Sequence, residues 1–450
     1  MLGFETIGNA TVIVYDGTPI LATDPWISGE AYFGSWGMSH EIPSEQMAAI
    51  KACKYFWMSH GHPDHLSLGS LTDASDKEIL LADHRGGRIR EDLTSMGFRV
   101  RILPERTWVT LSPNVRVLTL SDYNQDSILL MDVGGRLVVD LNDASDQGWG
   151  RYVKSITAQF KESYLTRLWG YGDADMRNLF TESAEKIVHP ASSQKPPLGR
   201  TIQADAVRLG TKYAIPSSSF HRYQREDSVW ANALSTPMEN YSAGQHPDLP
   251  QVLPPFLQVD AVSGVHKEIR PRSLDRQVRK PEDFGDNWAD QLESDEKQQV
   301  QNYFLSKQVV REKFGFLRFR VGGEDFTIDL NKHRRNVGIT FEVPRQSLVA
   351  AVQYRVFDDL LIGNFMKTTL HGLDSLYPDF SPFVAKYADN GKAESRAELR
   401  EYFHHYRRKD PIGYILRTLE NDSEELFRKF VPNDSLLFRS AKSLYWKMIR

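Results

Sequence analysis

The segment Met58-Ser59-His60-Gly61-His62-Pro63-Asp64-His65-Leu66-Ser67 decides how this chain is read. Three histidines and an aspartate fall within six positions, directly behind the apolar run Tyr55-Phe56-Trp57-Met58. Imidazole and carboxylate are the side chains that bind borderline and hard divalent metals. A strand ending at Met58 delivers all four to one loop. The spacing lets His60 and His62 face one metal while Asp64 and His65 face a second. One histidine in a loop is ordinarily a solvated side chain. Four ligand-type residues in this order, after a hydrophobic strand, read as a metal loop.

Strand signals surround that loop. Thr11-Val12-Ile13-Val14-Tyr15 and Ile20-Leu21-Ala22-Thr23 flank Asp16-Gly17, a hairpin signal. The second of these strands ends at Asp24-Pro25, where proline stops pairing and leaves a carboxylate at the strand end. Downstream, helix and strand alternate, with a helix over 85–96 ended by Gly97. Ser127–Met131 and Arg136–Leu141 form a hairpin over Gly134-Gly135, leading to Asn142-Asp143. Lys212–Pro216 is a further strand, leading through three serines to His221. Strands interleaved with helices predict an α/β fold of two sheets with helices outside.

Residues 1–240 are assigned to this metal-binding unit. Residues 241–290, polar and proline-rich, are expected to be a long connection. Residues 291–450 are expected to form an α+β and helical extension, with a helix over 286–313, a hairpin across Gly322-Gly323 and a strand from Ser347 to Val356. Asp173 and Asp175 read as a turn.

At 450 residues the chain exceeds the usual single-domain size. Net charge is −4 with 25% charged residues, so neither nucleic acid nor another polyanion is an expected partner. Cys53, the single cysteine, excludes an intramolecular disulfide and fits a reducing compartment. No apolar run is long enough to span a bilayer, and Met1–Glu5 lacks the layout of a secretory signal. A cytoplasmic enzyme with a small-molecule substrate and no membrane partner is expected.

The pattern His-x-His-x-Asp-His resembles the metal signature of the metallo-β-lactamase superfamily, which implies an αββα sandwich. That resemblance gives further residues their roles. Asp143 stands where the superfamily supplies a carboxylate that bridges two metals; its other reading is a turn residue. His221 matches the late histidine that completes the second metal, against a surface histidine. The third ligand of the first metal departs from the pattern. No histidine precedes the strand at Ser127, so Asp122 is the candidate by position, with Asp126 behind it. If neither binds, the site is mononuclear. Asp24 is read as the partner of a metal-bound histidine N–H, or as a strand-end residue. Arg222, Tyr223 and Arg225 beside His221 offer a bidentate grip on an anionic substrate group, or are solvated.

The metal loop, the hairpin from Asp126 to Asp143 and the late run Val356-Phe357-Asp358-Asp359-Leu360-Leu361-Ile362-Gly363-Asn364-Phe365 together look like the non-Rieske part of CMP-N-acetylneuraminate hydroxylase-like proteins. The likeness extends from Phe4 to about Leu370. It implies an iron-dependent monooxygenase that hydroxylates an N-acyl group on a nucleotide-linked sugar. A Rieske domain needs two cysteines and two histidines, and Cys53 alone cannot supply them. Either a separate protein delivers electrons, or this chain does different chemistry. The carboxylates at Asp64, Asp122 and Asp143 favour iron over zinc or manganese, as one or two divalent ions. The alternative is a hydrolase of ester, lactone or phosphodiester bonds, in which a metal lowers the pKa of water from about 16 toward about 7. Asp64 and His65 are the candidate catalytic residues in either case.

Overall fold

In the computed structural model, two glycine pairs set the hairpins that frame both halves of the chain. Gly134 and Gly135 adopt φ of 59° and 86°, and Gly322 and Gly323 adopt 60° and 78°. A two-residue hairpin turn of the primed type needs positive φ at both centres, which only glycine adopts freely. The structure describes residues 1–415 apart from 147, 172–175, 188–192 and 276. The turn expected at Asp173 and Asp175, and any helix beyond 415, lie outside the described residues.

The first sheet has eight strands, in the order His266–Glu268, Leu257–Asp260, Leu2–Ile7, Thr11–Asp16, Thr18–Thr23, Tyr55–Trp57, Glu78–Leu81 and Arg99–Ile102. The second has seven, in the order Gln251–Val252, Tyr213–Pro216, Ser163–Arg167, Arg136–Asn142, Ser127–Val133, Val115–Ser121 and Val109–Ser112. Period-two patterning sends alternate residues to opposite faces. Val12, Val14, Leu21, Trp57, Val117, Leu129 and Met131 turn inward and close one core between the sheets, where Phe4 meets Tyr164 edge to face at 5.0 Å. The other faces, carrying Ile13, Phe56, Leu130 and Val139, lie under helices that include Ser44–Ala52, Gly150–Thr157 and Gly199–Leu209. This is an αββα sandwich.

A third sheet of five strands forms the extension, in the order Leu179–Phe180, Lys367–His371, Gly338–Glu342, Phe316–Val321 and Glu324–Asp329. Its core holds Phe304, Phe319, Phe341, Phe357 and Phe380. The edge strand Leu179–Phe180 comes from the first half of the chain and runs parallel to Lys367–His371.

Three expectations are corrected. The segment 241–290 is not merely a connection, because Gln251–Val252 joins the second sheet and Leu257–Asp260 pairs with Leu2–Ile7 in the first. Its prolines fall between short edge strands, where missing donors cost little. The strand expected from Ser347 is instead the helix Arg345–Gln353, which buries Leu348, Ala351 and Val352 at helical spacing. The helix over 286–313 is two, Ser294–Ser306 and Gln308–Lys313, with Lys307 extended between them.

Candidate metal centre

The strand Tyr55–Trp57 ends beneath the loop, and Met58 still donates to the Leu80 carbonyl at 3.2 Å. The chain then turns tightly, with the His65 and Leu66 amides both donating to the His62 carbonyl. That turn brings His60, His62, Asp64 and His65 together. His60, Asp64 and His65 are buried, whereas His62 keeps 16% of its side chain exposed.

Two groups of ligand-type side chains result. The first is His60, His65 and Asp143. Asp143 Oδ2 lies 3.3 Å from His65 Nε2 and 3.9 Å from His60 Nε2. Asp64 Oδ2 also reaches His65 Nε2, at 3.2 Å. The second group is His62, Asp358 and Asp359, the last two in the first turn of the helix Phe357–Ile362.

The hydrogen bonds behind the first group test whether a cation fits it. Asp24 Oδ2 lies 3.2 Å from His65 Nδ1, and Asp24 accepts from the Ser59 amide at 2.8 Å, the Ser59 hydroxyl at 2.7 Å and the Asn142 amide. An ionised carboxylate only accepts, so His65 Nδ1 carries its proton outward and Nε2 points a lone pair inward. The Ser59 hydroxyl proton is committed to Asp24, so it accepts from His60 Nδ1 at 2.9 Å. His60 Nε2 is then also a lone pair aimed at the centre. Two imidazole lone pairs and the Asp143 carboxylate converge on one point, with Asp64 beside His65, and this is a donor set suited to a divalent cation. The residues fit the metal.

The electrostatics agree. Burial, with His65 and His62 alongside, holds His60 well below the usual imidazole range, so its neutral form is favoured. Burial opposes charge on His65 too, but Asp64 and Asp143 outweigh it and raise its pKa well above the ordinary value. Without a cation His65 holds a proton that a metal would displace. Burial opposes ionisation of Asp64, yet His65 and the hydrogen bonds it accepts lower its pKa. Asn9 and Tyr32 donate to its two oxygens at 2.9 and 2.6 Å. Strain gathers here as well. Asp24, Asn142 and Ser218 adopt φ of 39°, 50° and 63°. Such conformations cost about 1–3 kcal/mol each and persist where surrounding contacts over-determine them.

The remaining expected site residues divide. Asp143 accepts from the Ser218 hydroxyl and is 17% exposed. His221 lies flat on Trp36, with ring centroids 3.4 Å apart and planes 2° from parallel. It feels Asp64 and Asp143, yet belongs to neither ligand group, and among the described residues neither of its buried ring nitrogens has a hydrogen-bond partner. Asp122 joins neither group: its Oδ1 accepts from the Asn124 and Asp126 amides and closes the turn before Ser127, while its Oδ2 is buried with no partner among the described residues. Asp126 faces Lys386 at 3.4 Å.

Two of the three expected substrate-binding residues are corrected too. Arg225 is fully buried between Asp227 and Asp286, at 3.0 and 2.7 Å. Tyr223 is buried, and its hydroxyl accepts from Asn364 at 2.9 Å. Both fasten the extension to the sandwich. Arg222 is exposed on the short strand His221–Tyr223. Asn9, Tyr32, Ser218 and Asp358 escaped the sequence reading. Of these only Asp358 had a visible signal, the paired carboxylates of Asp358-Asp359 within the run shared with the hydroxylases.

The fold is a sandwich of two facing sheets with helices outside, carrying buried and half-buried histidine and aspartate groups suited to divalent metals. More particularly, the chain is distantly and partially similar to the cytidine monophosphate-N-acetylneuraminic acid hydroxylases. It is 24% identical over 153 residues to the hydroxylase of Asterias rubens, covering 32% of this chain and 23% of that one. The Sus scrofa hydroxylase is 24% identical over 137 residues, covering 28% of this chain and 32% of that one. The chain thus spans about a quarter to a third of these relatives' length. No family model matches it. Among solved structures, CmlA, a diiron β-hydroxylase from Streptomyces venezuelae, aligns at TM-score 0.31 and 14% identity over 48% of this chain and 44% of that one. A metallo hydrolase from Ignicoccus hospitalis aligns at 0.34 and 12% over 59% and 98%. Likenesses of this size assign no role to any residue. No described helix is long and apolar enough to cross a membrane.

Proposed function

We propose that this chain is a metal-dependent oxygenase that hydroxylates a polar substrate of the nucleotide-linked or amino-sugar class. The observation that carries the reading is the convergence of His60, His65 and Asp143, with Asp64 against His65. Oxygen donors beside imidazole suit iron, and the sequence relatives named above are hydroxylases. One or two iron ions bound there would supply oxygen activation. His60 and His65 present neutral nitrogen to the ion through the protons they give to Ser59 and Asp24. Tyr32 and Asn9 hold Asp64 ionised and oriented. Asp143, the more exposed carboxylate, marks the side from which substrate arrives, with His62 on the same rim. Electrons come from a separate donor protein.

The test is aerobic turnover by the purified, iron-loaded chain with a chemical reductant and N-acylated nucleotide sugars. Oxygen uptake coupled to product, lost in His65→Ala, is the expected result. Zinc as the bound ion with ester, lactone or phosphodiester cleavage under anaerobic conditions overturns it in favour of a hydrolase. That second reading rests on the same ligands and on metal activation of water, with Asp64 as proton acceptor.

A further inference from the structure

We infer that Asp358, carried by the C-terminal extension, is a positioning residue for His62 and thereby completes the first metal position from outside the sandwich. This rests on the metal-centre reading and deepens it. His62 uses both ring nitrogens. Its Nδ1 lies 2.9 Å from His60 Nε2, and its Nε2 lies 3.1 Å from Asp358 Oδ2. A carboxylate only accepts, so the proton of a neutral His62 sits on Nε2 and Nδ1 offers a lone pair. His60 Nε2 offers a lone pair for the reason already given. Two lone pairs at 2.9 Å repel unless a proton or cation lies between them. In the metal-free chain a proton lies there; with a cation in its place both rings would aim at one ion, and Asp358 selects the tautomer that lets His62 do so.

The three loop histidines now follow one plan. Each turns one nitrogen inward and gives the proton of the other to an oxygen: His60 to Ser59, His65 to Asp24, His62 to Asp358. The first two acceptors lie inside the sandwich. The third is 296 residues away in sequence from the imidazole it holds.

Asp358 is fixed in place from both sides. Before it, Arg88 donates to the Tyr354 and Arg355 carbonyls, each at 2.7 Å. After it, the Ser35 hydroxyl donates to the Gly363 carbonyl at 2.6 Å. Asn364 accepts from the Arg177 amide at 2.6 Å and donates to the Tyr223 hydroxyl. The short helix Phe357–Ile362 is bracketed by Arg355 and Asn364 at φ of 55° and 59°, a conformation that non-glycine residues hold only under such constraint. These clamps aim one carboxylate at one imidazole.

The test uses the full chain labelled with 15N-histidine. Long-range proton–nitrogen spectra of the metal-free protein report the tautomer of His62, assigned through His62→Gln. The expected result is a proton on Nε2 in the wild type, whether or not Nδ1 is protonated as well, a mixed population in Asp358→Ala, and the wild-type pattern again in Asp358→Asn, whose amide oxygen still accepts. Cobalt titration against a chelator should then show a loss of about 10–100-fold in affinity at one position in Asp358→Ala, with the other ion unchanged and Asp358→Asn recovering most of the loss. A wild-type His62 with no proton on Nε2 overturns the inference, and that spectrum decides the matter even if the alanine chain does not fold. An unchanged tautomer in a folded Asp358→Ala chain also overturns it. So does outright loss of one ion at every cobalt concentration with the tautomer retained, which would make Asp358 a ligand. A wild-type chain that takes up no cobalt overturns the metal-centre reading instead, and the metal-free spectra separate the two failures.

Discussion

Replacing Asp24 by alanine should destabilise the metal-free protein by about 3–5 kcal/mol. Asp24 is wholly buried, and four donors point at it: the Ser59 amide, the Ser59 hydroxyl, the Asn142 side-chain amide and His65 Nδ1. The serine hydroxyl can rotate to another acceptor. The other three cannot, because backbone, strand end and ring are fixed. Stranding a buried donor costs about 1–3 kcal/mol, so the gross loss is about 3–9 kcal/mol. Water entering the vacated space recovers part, which leaves about 3–5 kcal/mol. Asparagine keeps one acceptor oxygen and should cost about 1–3 kcal/mol. Urea unfolding followed by far-ultraviolet circular dichroism, in chelator, measures both without mixing in lost metal binding. A loss under about 1 kcal/mol for the alanine variant would refute the claim that this carboxylate organises the loop.

Three further outcomes are expected. His62→Ala combined with Asp64→Ala should bring metal content, read by elemental analysis, well below that of the wild type; full content and full turnover would sink the metal reading. Arg225→Ala should cost about 3–5 kcal/mol in thermal or urea unfolding, because it leaves Asp286 buried without its cation. The third concerns pH. Burial first, and Asp24 second, push Asp140 up to about 7 from an ordinary 3.8. The folded state therefore binds a proton that the unfolded chain has released. Stability from this group is full below about pH 4, falls between about 4 and 7, and is flat above. Asp140→Asn removes that fall. At about 1.4 kcal/mol for each tenfold difference in proton affinity, the variant should gain on the metal-free wild type by up to roughly 4 kcal/mol at about pH 8. Parallel stability curves for the two proteins between about pH 5 and 8 would contradict it.

What the amino-acid order reveals here is what is local. The metal loop is legible because its four ligand-type residues follow one another, and the hairpin at Gly134-Gly135 because two adjacent glycines have few other uses between apolar runs. Asp24 is legible because proline ends its strand. What escapes is decided by distant partners. Arg222 and Arg225 look alike in the chain, yet Asp286, far along the chain, buries one and leaves the other in solvent. Asp122 matched a ligand position by order alone, but two nearby amides hold one of its oxygens and it lies outside both ligand groups. The helix Arg345–Gln353 reads as a strand because Val349 and Val352 carry strand propensity, while the burial of Leu348, Ala351 and Val352 follows the helical repeat. Asp358 reaches His62 only after two sheets and an extension have folded around it.

The two-residue strand Leu179–Phe180 laces the halves of the molecule together. A chain shortened to stop before residue 316 would keep these two residues but lose every neighbour they bond to in their sheet, exposing an unsatisfied edge. The extension is thus no detachable appendage. Pulling it away tears a sheet as well as uncovering an imidazole, so the two halves should melt in a single cooperative event.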